Sequence, residues 1–376
     1  MNIILVSTAP PYRGGISEHT KGLYLNLAKN HSVKIFSFYY QYPNFFFPGK
    51  SQKFNNNKKF ENTDYTISSI NIFSWFRTAN KILRQKPDLI IFSYWNPFFA
   101  PCFGYIAQLL KNKMGSNKLI SICHNIEPHE RNFIDKNLIK FYLKPFKNFI
   151  LMSSYVENQL KLYKKKFNSS VRFLPINEKY NIPYNKSKIK LEMNYKTDDK
   201  LILFFGLIRP YKGLDNLLHA FNDVLLNDHS IKLVIAGEAY EKLDRYKKII
   251  NKYDMHNNII WIDEFLSNQF IEKLMIISDL LILPYNSASQ SGVLSQAWQY
   301  NLPSIVTNVG GLPECVDEGK SGYIVEPNDV NQLSIRIKDF FNSNDSVEMP
   351  EYIKLNKKKF SWDYHIEGIL ELANES

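Results

Sequence analysis

The sequence predicts two α/β halves, each built on a parallel sheet, joined by a linker. Three observations carry this expectation. Short apolar runs recur between helix-like segments, the pattern of strands covered on both faces. A polar, Lys/Asn-rich stretch after Leu174-Pro175-Ile176-Asn177 runs to Lys200 and separates this series from a second one that begins at LILFF. A chain of 376 residues is also too long for one compact core, so two domains of roughly 180 residues are expected.

In the first half, Ile3–Ser7 reads as a strand, Ser17–Lys29 as a helix and Ser32–Phe38 as a strand. A helix closes over Asn80–Gln85 before Pro87, and strands follow at Asp88–Ser93, Leu119–Cys123 and Asn148–Ser153. The opening MNIILVSTAPP has a short apolar run and no basic leader, so it reads as a first buried strand rather than a signal peptide. Residues 41–64, aromatic and then Asn/Lys-rich, read as an insertion near the mouth of a site. In the second half the strands are LILFF, Leu233–Ala236, Ile259–Ile262, Leu280–Leu283 and Ser304–Thr307, and the tail from Phe360 is a terminal helix. Two such halves imply a cleft, with ligands beyond the carboxyl ends of the strands.

A hydrophobic content of 44% and a charged content of 22% are those of a folded soluble protein. No run approaches the ~20 apolar residues needed to span a bilayer. Cys102, Cys123 and Cys315 are odd in number and widely spaced, which fits neither a disulfide framework nor a zinc site and points to a reducing, cytoplasmic setting. Residues 1–180 hold 26 Lys+Arg against 9 Asp+Glu, a balance of +17; the remainder holds 21 against 27, a balance of −6. The basic half suits an anionic membrane face or substrate, or else reflects a Lys- and Asn-rich composition on a solvated surface. The segment KNLIKFYLKPFK (Lys136–Lys147) mixes lysines with apolar residues; either it rests on anionic lipid or its apolar face is core. No nucleic-acid module accompanies the charge.

The chemistry concentrates at four places. After LLIL (280–283), a polar loop leads to Ser291-Gly292, which open a helical segment ended by Pro303. Unpaired backbone N–H groups at such a helix start form a phosphate site. Gly14-Gly15 follow the first strand and precede a helix, a weaker form of the same signal. His124 stands directly after the strand LISIC, where an α/β fold places its functional groups; His129 and Glu130 read as a surface turn held by Pro128. Arg209 and Lys212, beside glycines after LILFF, suit an anionic diphosphate, one as a bidentate guanidinium and the other as a point charge.

GGISEHT, HNIEPHE, GLIRPYKGLDNLLHAF, SGVLSQAWQYNLPSIVTNVGGLPE and the Phe-Ser-Trp near the end resemble glycosyltransferase family 4, over nearly the whole chain and in the same order. The resemblance implies a GT-B fold: two Rossmann-like, doubly wound parallel-sheet domains facing across a cleft. Residues 1–177 would bind acceptor, 178–358 would bind a nucleotide sugar, and 359–376 would form a helix crossing back to the first domain. It implies retaining transfer without an obligatory metal and without a cofactor, the nucleotide sugar being a co-substrate. It places Gly15 at the donor phosphates or sugar and His124 beside the donor sugar near the reacting carbon. Arg209 and Lys212 would meet the leaving diphosphate, Ser291, Gly292 and Val293 the phosphate through backbone, and Gln296 the ribose.

The chain departs from the family where many members carry two glutamates eight positions apart: here stand Ala288 and Gln296. Gln290 is the nearest polar candidate for a sugar contact, and Glu314 is either a substitute acid or part of the Gly310-Gly311 turn. The expected function is hexosyl transfer from a nucleotide sugar to a glycan acceptor, lipid-linked, in surface polysaccharide (O-antigen or capsule-type) synthesis. The expected setting is cytoplasmic, with peripheral association at an anionic inner membrane face. The alternatives are a non-catalytic GT-B subunit that binds a partner, and a nucleotide-sugar epimerase, against which the scarcity of cleft carboxylates counts.

Overall fold

A computed structural model describes residues 1–43, 52–53, 59–128, 133–176, 185–264 and 266–374. The chain forms two compact units, Met1–Pro175 with Lys359–Ser376, and Ile176–Lys358. Each unit is α/β, built on a parallel sheet.

The first unit carries seven strands: β1 (Asn2–Val6), β2 (Ser32–Tyr40), β3 (Thr63–Ser68), β4 (Leu89–Tyr94), β5 (Leu119–Cys123), β6 (Asn148–Leu151) and β7 (Asn168–Val171). Their order is β3-β2-β1-β4-β5-β6-β7, all parallel, with Ile3 opposite Val33 on one side and Leu89 on the other. Alternation along each strand sorts the core into two layers. Ile4, Val6, Phe36, Phe38, Ile90 and Phe92 face the helix Ala100–Met114 and pack with Phe99 and Phe103. Ile3, Leu5, Ile35, Leu89, Ile91, Ile120 and Ile122 face the opposite way, against Leu23 and Leu27 of the helix Gly15–Leu27. The terminal helix Trp362–Asn374 completes that second layer with Trp362, Ile369 and Leu372. It is pinned by Arg172, whose Nε donates to the Tyr364 carbonyl at 2.9 Å and whose guanidinium pairs with Glu371 at 3.0 Å.

The second unit carries β8 (Lys200–Phe205), β9 (Ile231–Ala236), β10 (Ile259–Ile262), β11 (Leu280–Leu283), β12 (Ser304–Thr307) and β13 (Gly322–Val325), in the order β10-β9-β8-β11-β12-β13 and again parallel. Helices Leu214–Leu225 and Val330–Asn342 cover one face through Leu217, Leu218, Phe221, Leu333, Ile337 and Phe340.

Two strands lack the apolar run that marks the others, and a third, β13, has only a short one after a glycine. β3 (TDYTIS) and β7 (NSSV) are edge strands with mixed or polar sequence and partial burial, and β13 (GYIV) edges the second sheet. β3 begins inside the stretch expected to be an insertion, so its end belongs to the sheet. Of the rest of that stretch, residues 44–51 and 54–58 lie outside the described residues, while Gln52 accepts from Arg13 N through its carbonyl at 2.9 Å.

Candidate functional site

In the second unit the strand order reverses between β8 and β11. The chain leaves β8 toward β9 and leaves β11 toward β12, so the segments at their carboxyl ends part and open a crevice. Gly206–Gly213 and Pro284–Ser291 border it. Pro210–Lys212 make one turn of 3₁₀ helix, and Gly213 (φ 64°, ψ 29°) turns the chain into the helix Leu214–Leu225. A side chain at Gly213 would overlap the Pro284 carbonyl, so only glycine lets the two loops touch here. Asn286 N, donating to the Tyr211 carbonyl at 2.7 Å, stitches them a second time.

This packing folds Lys212 inward. Its side chain is buried, with Nζ 5.0 Å from the centre of the Tyr285 ring. A Cβ built on Gly206 would lie 2.6 Å from Lys212 Nζ and 3.5 Å from Val293 Cγ2, so the ammonium and the start of the helix Gly292–Gln299 are neighbours. No carboxylate pairs with Lys212 or Arg209 among the described residues. Burial, with a smaller contribution from Arg209, pulls the Lys212 ammonium below its ordinary range. Arg209 is half-buried with its guanidinium over the Tyr240 ring at 5.1 Å. Burial pushes the Tyr285 phenol up, the Ser291 hydroxyl opposing it.

Ser291 caps the helix, accepting from Leu294 N at 3.3 Å. That leaves the N–H groups of Gly292 and Val293 without acceptors inside the helix. Two cations and a helix start therefore converge at one crevice, which is an arrangement for an anion. Gln290 stands at its rim with Oε1 buried and without a hydrogen-bond partner among the described residues, an acceptor waiting for a donor. Gln296 is exposed one turn into the helix. Ala288 is buried, and its carbonyl fills the space a Cβ on Gly310 would need. Glu314 lies half-buried in the turn Pro313–Cys315, behind the glycines.

The first unit presents a different arrangement. Gly14 (φ 112°) and Gly15 follow β1 and start the helix Gly15–Leu27; apart from the adjoining chain, no heavy atom of the described residues lies within 4 Å of where a Cβ would stand on either. His124 follows β5, its backbone N donating to the Tyr94 carbonyl at 2.8 Å, and its side chain is 1% exposed. The ring meets His19 edge-on at 4.8 Å, and His19 in turn lies 5.2 Å from His365 and 5.4 Å from Trp362. Burial pushes His124 down to about 3, with His365 adding to the effect. Burial lowers His19 well below the ordinary imidazole range, and takes His365 down to about 4 against the opposing Phe173 backbone. All three rings are neutral at pH 7. The nitrogens of His19 and His124 have no hydrogen-bond partner among the described residues.

His19 and His365 were not legible as site residues. His19 sits on the buried Leu23/Leu27 stripe, where periodicity reads core, and His365 is more than 200 residues from His124. Glu127 is turned aside, accepting from Tyr163 Oη at 2.6 Å; His129 and Glu130 lie outside the described residues. Gly206 and Gly213, the glycines expected beside Arg209 and Lys212, line the crevice, and Tyr285 joins it with no signal of its own in the sequence.

Residues 185–360 match the family model of glycosyl transferases group 1. An uncharacterized glycosyltransferase of Methanocaldococcus jannaschii is 28% identical, over 100% of this chain and 98% of its own. Among solved structures, Anabaena HepE in complex with UDP superposes with a TM-score of 0.78 at 13% identity, covering all of both chains. Sucrose-phosphate synthase from Thermosynechococcus elongatus does so with a TM-score of 0.73 at 16% identity, covering 100% of this chain and 98% of its own. The matched domain, the full-length relative and the shared fold together support a glycosyltransferase of GT-B architecture.

Proposed function

We propose that the protein is a retaining hexosyltransferase that moves a sugar from a nucleotide donor to a lipid-linked glycan in surface polysaccharide synthesis. The proposed setting is the cytoplasmic, anionic face of a membrane. The observation that carries the donor side is Lys212: a buried ammonium with no carboxylate partner among the described residues, set against an open helix start. Burying an unpaired cation costs stability, and a site that keeps one is built for an anion that arrives. A nucleoside diphosphate fits, and UDP is what the HepE structure holds.

Chemistry follows from where charge develops. As the bond between the anomeric carbon and the β-phosphate oxygen breaks, negative charge grows on the diphosphate. Arg209, Lys212 and the N–H groups of Gly292 and Val293 stabilise it. The acceptor hydroxyl forms the new bond on the same face, and its proton passes to the departing phosphate oxygen. A strong side-chain base is then unnecessary, consistent with Ala288 and Gln296 standing where glutamates are common. His124, neutral at pH 7, is proposed to act on the sugar by hydrogen bonding and not as a cation. Gln290 is proposed to contact a sugar hydroxyl through its buried Oε1.

A screen of nucleotide sugars against the purified protein tests this, following nucleoside diphosphate release with and without lipid-linked acceptors. Acceptor-dependent release with one donor is expected. Donor binding without turnover across all pairs would favour a non-catalytic subunit.

A further inference from the structure

The first unit exposes large apolar side chains where two helices begin. The helix Ile72–Arg84 follows β3 and the helix Asp135–Leu143 follows β5, so in a parallel sheet both start from the carboxyl edge. Both pack on the helix Ala100–Met114 that lies between them. At the first start Ile70, Ile72, Phe73 and Phe76 are 62, 49, 73 and 54% exposed, and at the second Phe133 and Ile134 are 98 and 60% exposed. Single exposed apolar residues are ordinary, but a set gathered on one edge marks an interaction surface.

The cations beside them identify the partner. Arg77, Lys81 and Arg84 continue the exposed stripe of the first helix, and Lys136, Lys140, Lys144 and Lys147 that of the second. None of the seven forms an ion pair among the described residues. The first helix contains no acidic residue, and Asp135, the acid of the second, is buried. Basic residues in a last turn suit the helix dipole, but Lys136 in a first turn does not. At ~1.5 Å rise per residue, Arg77 lies about 6 Å behind Phe73 along the helix. Aromatic tips sunk roughly 5–10 Å into a lipid surface would therefore hold Arg77 at headgroup level. A second copy of the chain would bring like charges together; an anionic lipid surface would not.

We propose that this edge docks on an anionic phospholipid bilayer, with Phe73, Phe76 and Phe133 inserted and Arg77, Lys81, Lys136 and Lys140 facing the headgroups. The proposal deepens the lipid-linked acceptor reading and rests on it for its purpose, while its measurement is independent of turnover.

The test is co-sedimentation of the full chain with phosphatidylcholine vesicles, with and without phosphatidylglycerol, at low and high salt. Binding is expected to the anionic vesicles alone and to weaken at high salt. Phe73→Ser with Phe76→Ser should weaken it by about tenfold or more, and Arg77→Gln with Lys81→Gln by about fivefold per charge removed. These positions are exposed, so the variants should keep the wild-type melting temperature. Absence of binding to anionic vesicles at low salt would overturn the proposal, as would binding unchanged in both double variants. A wild-type dimer that Phe73→Ser dissociates would also overturn it. Sugar transfer to a water-soluble acceptor without vesicles separates the two readings. If wild type binds vesicles but transfers nothing, the activity reading fails and the docking surface stands.

Discussion

The two units hold their candidate groups in contrasting states. In the second, a buried ammonium and an exposed helix start make a crevice of concentrated positive charge. In the first, the His19 ring packs against those of His124 and His365, all three buried and neutral, with no carboxylate paired to them among the described residues. Both arrangements leave polar groups unsatisfied inside a protein, which costs stability. The complement proposed for the cationic crevice is an incoming diphosphate. The histidines tie three distant segments together, the helix after Gly14-Gly15, the end of β5 and the terminal helix, and of the three only His124 is proposed to meet the sugar. The crevice's positive charge is thus proposed to meet a diphosphate, and the neutral His124 to act by hydrogen bonding alone.

The largest expected effect breaks the crevice. Arg209→Ala and Lys212→Ala should each lower turnover by about a hundredfold to a thousandfold, the scale for losing a preorganised charge contact in a transition state. Single-turnover assays read this directly. Unchanged rates would remove both residues from the leaving-group role. Lys212→Met should at the same time melt no lower than wild type, because it removes an unpaired buried charge.

Acid breaks the histidine cluster. Folded His124 and His365 titrate near 3 and 4, below the ordinary value of about 6.5 expected when unfolded. Below ~6.5 the unfolded chain takes up protons that the folded chain refuses. Stability present above that pH is thus lost as pH falls toward 4 and then 3, by about 1.4 kcal/mol per pH unit for each imidazole. Urea unfolding of the first unit at pH 7 and pH 5 should reveal the loss, and His365→Leu should reduce its slope. The described histidines of the second unit, His219, His229 and His256, are not buried, so its unfolding should respond less. Equal acid responses in the two units would contradict the contrast.

A smaller effect sharpens the crevice's rim. Gln290→Ala should raise the donor KM by roughly tenfold, the worth of one hydrogen bond to a buried acceptor. The exposed Gln296→Ala should change it less. A larger change at Gln296 than at Gln290 would reverse their assigned importance.

The same contrast explains what could be read from sequence. The second-unit strands Ile259–Ile262, Leu280–Leu283 and Ser304–Thr307 occur where their apolar runs lie, and Ser291 caps the helix it was expected to open. Such signals are local: a buried strand, a cap and a glycine turn each fit within a few residues. Arg209, Lys212 and Ser291 come to one crevice because they follow adjacent strands, β8 and β11. β3 and β7 were missed because edge strands tolerate polar residues on partly exposed faces. The histidine cluster was missed because no local pattern joins residues 19, 124 and 365; only the sheet order and the terminal helix bring them together.

The most direct test of the central claim is the affinity for UDP, measured by titration calorimetry on wild type and Lys212→Met under identical salt. The crevice account predicts saturable binding to wild type that weakens at least tenfold in the variant, with melting temperature preserved. Equal affinity in the two proteins would show that Lys212 does not hold the diphosphate, and the assignment of the crevice would fall.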